Sequence, residues 1–149
     1  VEHLSEKQGV GSSILPLATG FFQYQFVLPS ESGINGINKI LKEIKNHGQV
    51  PALGVLKTFG EIESKGYMSF PRKGLTLALD FRIKDSTTFK FLDRLDKIVI
   101  ENNGSLYPAK DARMSSNTFL NSFNNINKFE KYIDPKFSSS FWRRVNKIS

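Results

Sequence analysis

Twice along this chain an alternating apolar run hands over to an apolar period near 3.6, and that repeated handover constrains the fold more than any other feature. In Phe21–Leu28, the side chains of Phe22, Tyr24, Phe26 and Leu28 share one face while Gln23 and Gln25 take the other, a strand pattern. Pro29, Ser30 and Ser32 end the strand and offer a helix cap. Ile34, Ile37, Ile40, Leu41 and Ile44 then recur at helical spacing, with Lys and Glu between them, until Gly48, a residue suited to a left-handed C-terminal position. Leu53–Phe59 reads as a second strand closed by Gly60, and Tyr67–Phe70 as a short extended piece before Pro71. The second round begins with a third strand, Leu75–Arg82, and continues with a helix capped by Asp85 or Ser86, whose stripe is Phe89, Leu92, Leu95, Ile98 and Val99. Asn103-Gly104 ends that helix, and Ser105–Pro108 makes a short fourth strand that Pro108 assigns to an edge. The order βαββαβ is the split βαβ of a ferredoxin-like α+β domain: an antiparallel sheet with both helices on one face.

A chain of 149 residues holds one such domain with an extension. Residues 1–20 have no clean period and read as a tail or linker, residues 21–113 as the α+β domain, and the Asn- and Ser-rich residues 114–149 as a C-terminal helical segment. With no Cys, disulfides, thiolate chemistry and Cys-ligated metals are excluded. No run approaches the length of a membrane span, and the first residues lack the charged and apolar regions of a signal peptide, so a cytoplasmic protein is expected. The net charge is +7, unevenly spread. Between Lys84 and Glu101 four cations meet four anions, whereas from Lys128 onward six cations meet two. A basic end of this kind suits a nucleic acid, an anionic membrane, an acidic partner domain or plain solvent.

The helices need apolar partners, which places the Phe22/Tyr24/Phe26/Leu28 and Leu75/Leu77/Leu79/Phe81 faces beneath them and leaves Gln23, Gln25, Thr76 and Ala78 on the open face. The second strand offers either Leu53/Val55/Lys57/Phe59 or Gly54/Leu56/Thr58 to the helices. An ammonium under a helix is costly without a partner, so Lys57 belongs on the open face with Val55 and Phe59 beside it. Two amides, an ammonium and a hydroxyl with an apolar rim suit a hydroxylated ligand, although exposed Gln on a strand is also ordinary solvated surface.

The segments FFQYQFVLP, LGVLKTFG, MSFPRKGLTLALDF, NGSLYPAKDAR and DPKFSSSFWRRV, spanning Phe21 to about Val145, occur in this order in FAD-linked oxidases. The chain resembles the C-terminal, substrate-covering part of the decaprenylphosphoryl-ribose oxidase group and its aldonolactone and alditol oxidase relatives. The resemblance implies a partner, an N-terminal FAD-binding domain of the same polypeptide, and oxidation of a sugar or polyol hydroxyl by hydride transfer to the flavin. It implies that Gln23, Gln25, Val55, Lys57, Phe59 and Thr76 meet substrate, Thr76 standing where relatives use Asn, and that Tyr107 touches the flavin. Lys110 corresponds to the lysine near the flavin and the reacting hydroxyl. There a cation stabilises the reduced ring's anionic edge or binds the substrate oxygen. The chain departs from the family in lacking a Gly-rich flavin-binding region, in residues 1–20, and in Ala78, where some relatives have Cys. Such a chain is expected to bind little FAD alone and to show no turnover.

Two other readings compete. The topology and charge suit an RNA-binding module, and Lys65–Arg72 begins like an RNP1 motif, but Met68, Ser69 and Arg72 break it and remove the stacking rings, so no nucleic-acid partner is expected. A stand-alone ligand-binding domain is compatible with the same fold. Elsewhere, His47 reads as a cation favouring a helix end, Asp111 and Arg113 as a local pair fixing the Lys110 loop, and Phe137, Phe141 and Trp142 as packing of a terminal helix. Arg143 and Arg144 face either a flavin domain or solvent.

Overall fold

The computed structural model describes residues 20–110 and 113–146, so the expected tail lies outside the described residues except for Gly20, as does Asp111. Strand β1 (Phe21–Leu28) leads into helix α1 (Ser30–His47), followed by β2 (Leu53–Phe59), β3 (Gly74–Arg82), helix α2 (Ser86–Glu101) and the two-residue β4 (Ser105–Leu106). The sheet is antiparallel in the order β2-β3-β1-β4, which is the expected ferredoxin-like arrangement. Short helices α3 (Ser116–Ser122), α4 (Ile126–Phe129) and α5 (Ser140–Val145) follow, with single 3₁₀ turns at Pro108–Lys110 and Glu130–Tyr132.

The period-2 and period-3.6 faces meet where the sequence requires. Phe22, Tyr24, Phe26 and Leu28 of β1 and Leu77, Leu79 and Phe81 of β3 are buried against Ile37, Ile40 and Ile44 of α1 and Phe91, Leu92, Leu95 and Val99 of α2. Phe81 and Phe91 form an edge-to-face pair with centroids 5.4 Å apart. Burying side chains of this size stabilises the fold by about 1.5–3 kcal/mol each. Met114, Phe119, Phe123, Ile126 and Val145 join the same core, so the C-terminal helices extend it rather than start another. Phe141 and Trp142 pack on Phe119, as expected, but Phe137 is 76% exposed and takes no part in that packing.

The helix ends show where local rules gave way to tertiary ones. Gly48 closes α1 in the left-handed region at φ 72°, its N–H donating to the carbonyls of Ile44 and Lys45. No side chain caps the start of α1: Pro29 occupies the cap, and the Ser32 hydroxyl instead donates to the Asn102 carbonyl (2.7 Å), tying α1 to the end of α2. Asp85 caps α2 by accepting from the Thr87 N–H at 2.7 Å. His47 lies flat on Phe91 with centroids 4.4 Å apart, and its Nδ1 accepts from Arg94 Nη2 at 3.0 Å, so its ring packs and accepts a hydrogen bond in addition to ending a helix.

Two strand expectations are corrected. The fourth strand is only Ser105–Leu106, with one further hydrogen bond from the Tyr107 N–H, because Pro108 has no N–H for the ladder and starts the 3₁₀ segment. Tyr67–Phe70 is not extended: the Ser69 N–H donates to the Gly66 carbonyl in a turn, and Phe70 folds back onto the sheet's open side.

Gly74 opens β3 at φ 147°, and a Cβ there would lie 2.0 Å from the Leu28 carbonyl oxygen. Gly74→Ala must therefore separate β3 from the end of β1, at an expected cost of at least about 2 kcal/mol. Urea denaturation measures it; a loss below about 0.5 kcal/mol would mean the strands part freely.

Candidate functional site

The register settles which side chains share the open face. Gln23, Asp80 and Leu53 form one row across β1, β3 and β2; Gln25, Ala78 and Val55 form the next; Val27, Thr76 and Lys57 the third. Lys57 is therefore on the open side, as the cost of burying an ammonium required, and it is exposed. Asp80, half-buried between Gln23 and Leu53, adds a carboxylate to this face that sequence reasoning did not count.

At the β4 side the chain leaves the ladder and builds a wall. The Tyr107 N–H donates to the Gln25 carbonyl (2.9 Å), continuing the sheet one residue beyond β4. The 3₁₀ turn that follows brings Lys110 back over Tyr107, its Nζ 6.0 Å from the ring centroid. Gln23, Gln25, Tyr107 and Lys110 thereby line one narrow, filled hollow at the sheet edge, with Phe22, Tyr24 and Leu106 beneath. From the opposite direction the connection between β2 and β3 lays Phe70, 5% exposed, against Tyr107 with centroids 4.6 Å apart, and Phe59 meets Phe70 edge to face. Gln25, Phe59, Met68, Phe70, Tyr107 and Pro108 line a cleft of about 450 Å³ that shares Gln25 and Tyr107 with the Lys110 hollow. A few polar groups converging on an apolar, aromatic-walled cleft are what a small-molecule site requires.

The residues singled out in the sequence do not all gather. Gln23, Gln25, Tyr107 and Lys110 come together, and Phe59 joins through the cleft. Val55 and Lys57 line neither hollow: among the described β2 residues only Phe59, at the strand's end, reaches the cleft. Thr76 is on the right face but only 1% exposed: its hydroxyl donates to the Phe26 carbonyl (2.8 Å) and accepts from Gln25 Nε2 (3.1 Å). Met68 and Phe70 were missed as walls, because their apolar alternation just before Pro71 reads equally as a strand.

The Lys110 loop is held from the helical side. Arg113 Nη1 and Nη2 donate to the two Asp96 oxygens at 3.0 and 2.8 Å, Nη1 also meets Asp93, and the Tyr24 hydroxyl donates to Asp96 at 3.0 Å. The Arg113 and Asp96 side chains are 11% and 7% exposed. Burial pushes the Asp96 carboxyl above the usual carboxylate range, against the downward pull of the Arg113 hydrogen bonds and charge and of the Tyr24 hydroxyl. A hollow of about 490 Å³ lies beside this pair between α2 and α3, but its most buried charges, those of Asp96 and Arg113, are spent on each other.

Over 133 residues, 86% of its length, the chain is 35% identical to decaprenylphosphoryl-β-D-ribose oxidase of Mycolicibacterium smegmatis, of which it covers 28%. The resemblance to part of a decaprenylphosphoryl-ribose oxidase holds. The chain is also 26% identical over 114 residues, 73% of its length and 31% of the relative's, to an uncharacterized protein in the mprA 5′ region of Streptomyces coelicolor. No family model matches. The chain spans less than a third of the length of the curated relatives it matches, so its likeness is to part of an oxidase. No helix among the described residues is long and apolar enough to cross a membrane.

Proposed function

We infer that this chain is the substrate-covering cap of an FAD-dependent oxidoreductase that oxidises a sugar or polyol hydroxyl by hydride transfer. The observation that carries this reading is the convergence of Gln25, Tyr107 and Lys110 at the β1–β4 edge of the sheet, in a chain similar to part of an oxidase named for decaprenylphosphoryl-ribose.

The residues present fit one portion of the cofactor. The Phe70–Tyr107 stack is a flat aromatic wall and Lys110 a cation beside it, a combination suited to the edge of a planar, anion-forming ring. The sequence contains no G-x-G-x-x-G run to cradle a pyrophosphate at a helix start, so a flavin-binding domain holds the rest. FAD, when bound, supplies the hydride acceptor. Tyr107 and Lys110 meet its ring edge, and Lys110 places positive charge where negative charge develops, on that edge or on the substrate oxygen. Gln23 and Gln25 orient the sugar hydroxyls, and Phe59, Met68 and Phe70 exclude water from the cleft.

Rapid mixing of the flavin-bound enzyme with substrate under anaerobic conditions tests this. Gln25→Ala is expected to raise KM about tenfold with a smaller effect on kcat, because the amide binds substrate and transition state alike. An unchanged KM would remove the cleft from the site.

A further inference from the structure

Gln25 is shared, with Tyr107, by the aromatic cleft and the Lys110 hollow, and its amide can present two opposite faces to a ligand. The buried neighbour decides between them. Thr76 has a single hydroxyl hydrogen, and the carbonyl of Phe26, 2.8 Å away, accepts it. The Thr76 oxygen is then only an acceptor toward β1, and at 3.1 Å it meets Gln25 Nε2, which can only donate. Turning the amide over would set a third oxygen against two others with one hydrogen among them, leaving a buried oxygen pair unbridged. Thr76 is almost fully buried, so water has little access with which to repair such a pair. Among the described residues Oε1 of Gln25 has no hydrogen-bond partner.

We propose that Thr76 is a positioning residue that locks the Gln25 amide with its carbonyl oxygen facing the ligand, so that the site selects a group that donates a hydrogen bond there, a free hydroxyl over an ether or carbonyl. This deepens the cap reading and rests on it for the ligand, whereas the lock itself does not. A site built to pair a hydroxyl rejects the analogue that lacks one, because the site's own polar atom is left unpaired.

The lock is read on the 149-residue chain by NMR of the Gln25 side-chain amide, identified by its loss in Gln25→Ala. In the parent and in Thr76→Ser, the two amide protons are expected to be well separated and one slow to exchange. In Thr76→Val, nearly the same shape without the hydroxyl, they are expected to exchange rapidly and move to solvent-like positions. Gln25 signals identical in parent and Thr76→Val would overturn the lock. The selection is read separately by titrating methyl β-D-ribofuranoside and its O-methyl ethers. The parent should bind at least one ether about tenfold more weakly than the free sugar, and Thr76→Val should narrow that gap. Equal affinity for the sugar and every ether in the parent would overturn the selection. No binding of the free sugar, with the Gln25 signature intact, would instead overturn the cap reading and leave the lock standing.

Discussion

Replacing Lys110 with Ala in the flavin-bound enzyme is expected to slow flavin reduction by substrate by about 10²–10³-fold, the range seen when one preorganised charge-stabilising donor is removed from a reaction centre. The expectation rests on position. Lys110 closes the hollow formed by Gln23, Gln25 and Tyr107, and its backbone is held by a 3₁₀ bond to the Tyr107 carbonyl, so removing the ammonium leaves the rest of the wall in place. Substrate affinity should therefore change less than the reduction rate, and Lys110→Arg should recover part of the loss by restoring the charge. Stopped-flow absorbance at the flavin band separates these outcomes. A Lys110→Ala enzyme that reduces its flavin at the parental rate would move the catalytic cation elsewhere on the face, with Lys57 the next candidate by register.

The largest stability effect is expected three residues further on. Arg113→Met removes the cation that faces a carboxylate buried under Tyr24, and should cost about 3–5 kcal/mol at neutral pH, because an uncompensated buried charge is what remains. The pH dependence has a definite sign. Burial already holds the Asp96 carboxyl above its ordinary range, and Arg113 is the main influence drawing it down. A carboxyl whose folded-state pKa is raised favours the fold below its unfolded pKa, and that contribution is lost as pH rises through the folded value. Without Arg113 the folded value climbs further, so the variant's deficit should open above the usual carboxylate range, be greatest at neutral pH and shrink toward about pH 4. Urea midpoints of parent and variant at the two pH values measure it. A deficit of equal size at both would mean that Asp96 does not carry the effect. The same ion pair anchors the chain directly after the Lys110 turn, so lost stability there should loosen the site as well.

Much of this fold was legible because its signals are local. The Phe22-to-Leu28 alternation, the Ile stripe of α1 and the Leu75-to-Phe81 alternation each fix an element and its buried face over fewer than twenty residues. The placement of Lys57 needed only the cost of an ammonium under a helix, and the β2–β3 register agrees with it. What was hidden depends on partners distant in sequence. Tyr24 and Asp96 meet across 72 positions, Gln25 and Thr76 across 51, and Arg113 reaches back 17 to Asp96. Nothing local in Tyr67–Phe70 distinguishes a strand from a connection that folds over a sheet; only the stack of Phe70 on Tyr107 does. The candidate site was therefore readable as a face and not as a cluster: its strands announced Gln23 and Gln25, while its walls come from a loop and a turn.

The central claim is that this open face, at its β1–β4 side, receives a sugar. Chemical-shift mapping of the 149-residue chain titrated with methyl β-D-ribofuranoside tests it most directly. The expected result is a set of shifted resonances centred on Gln23, Gln25, Phe70, Tyr107 and Lys110, absent in Gln25→Ala; shifts confined to the hollow between α2 and α3, around Asp93 and Thr118, would contradict it.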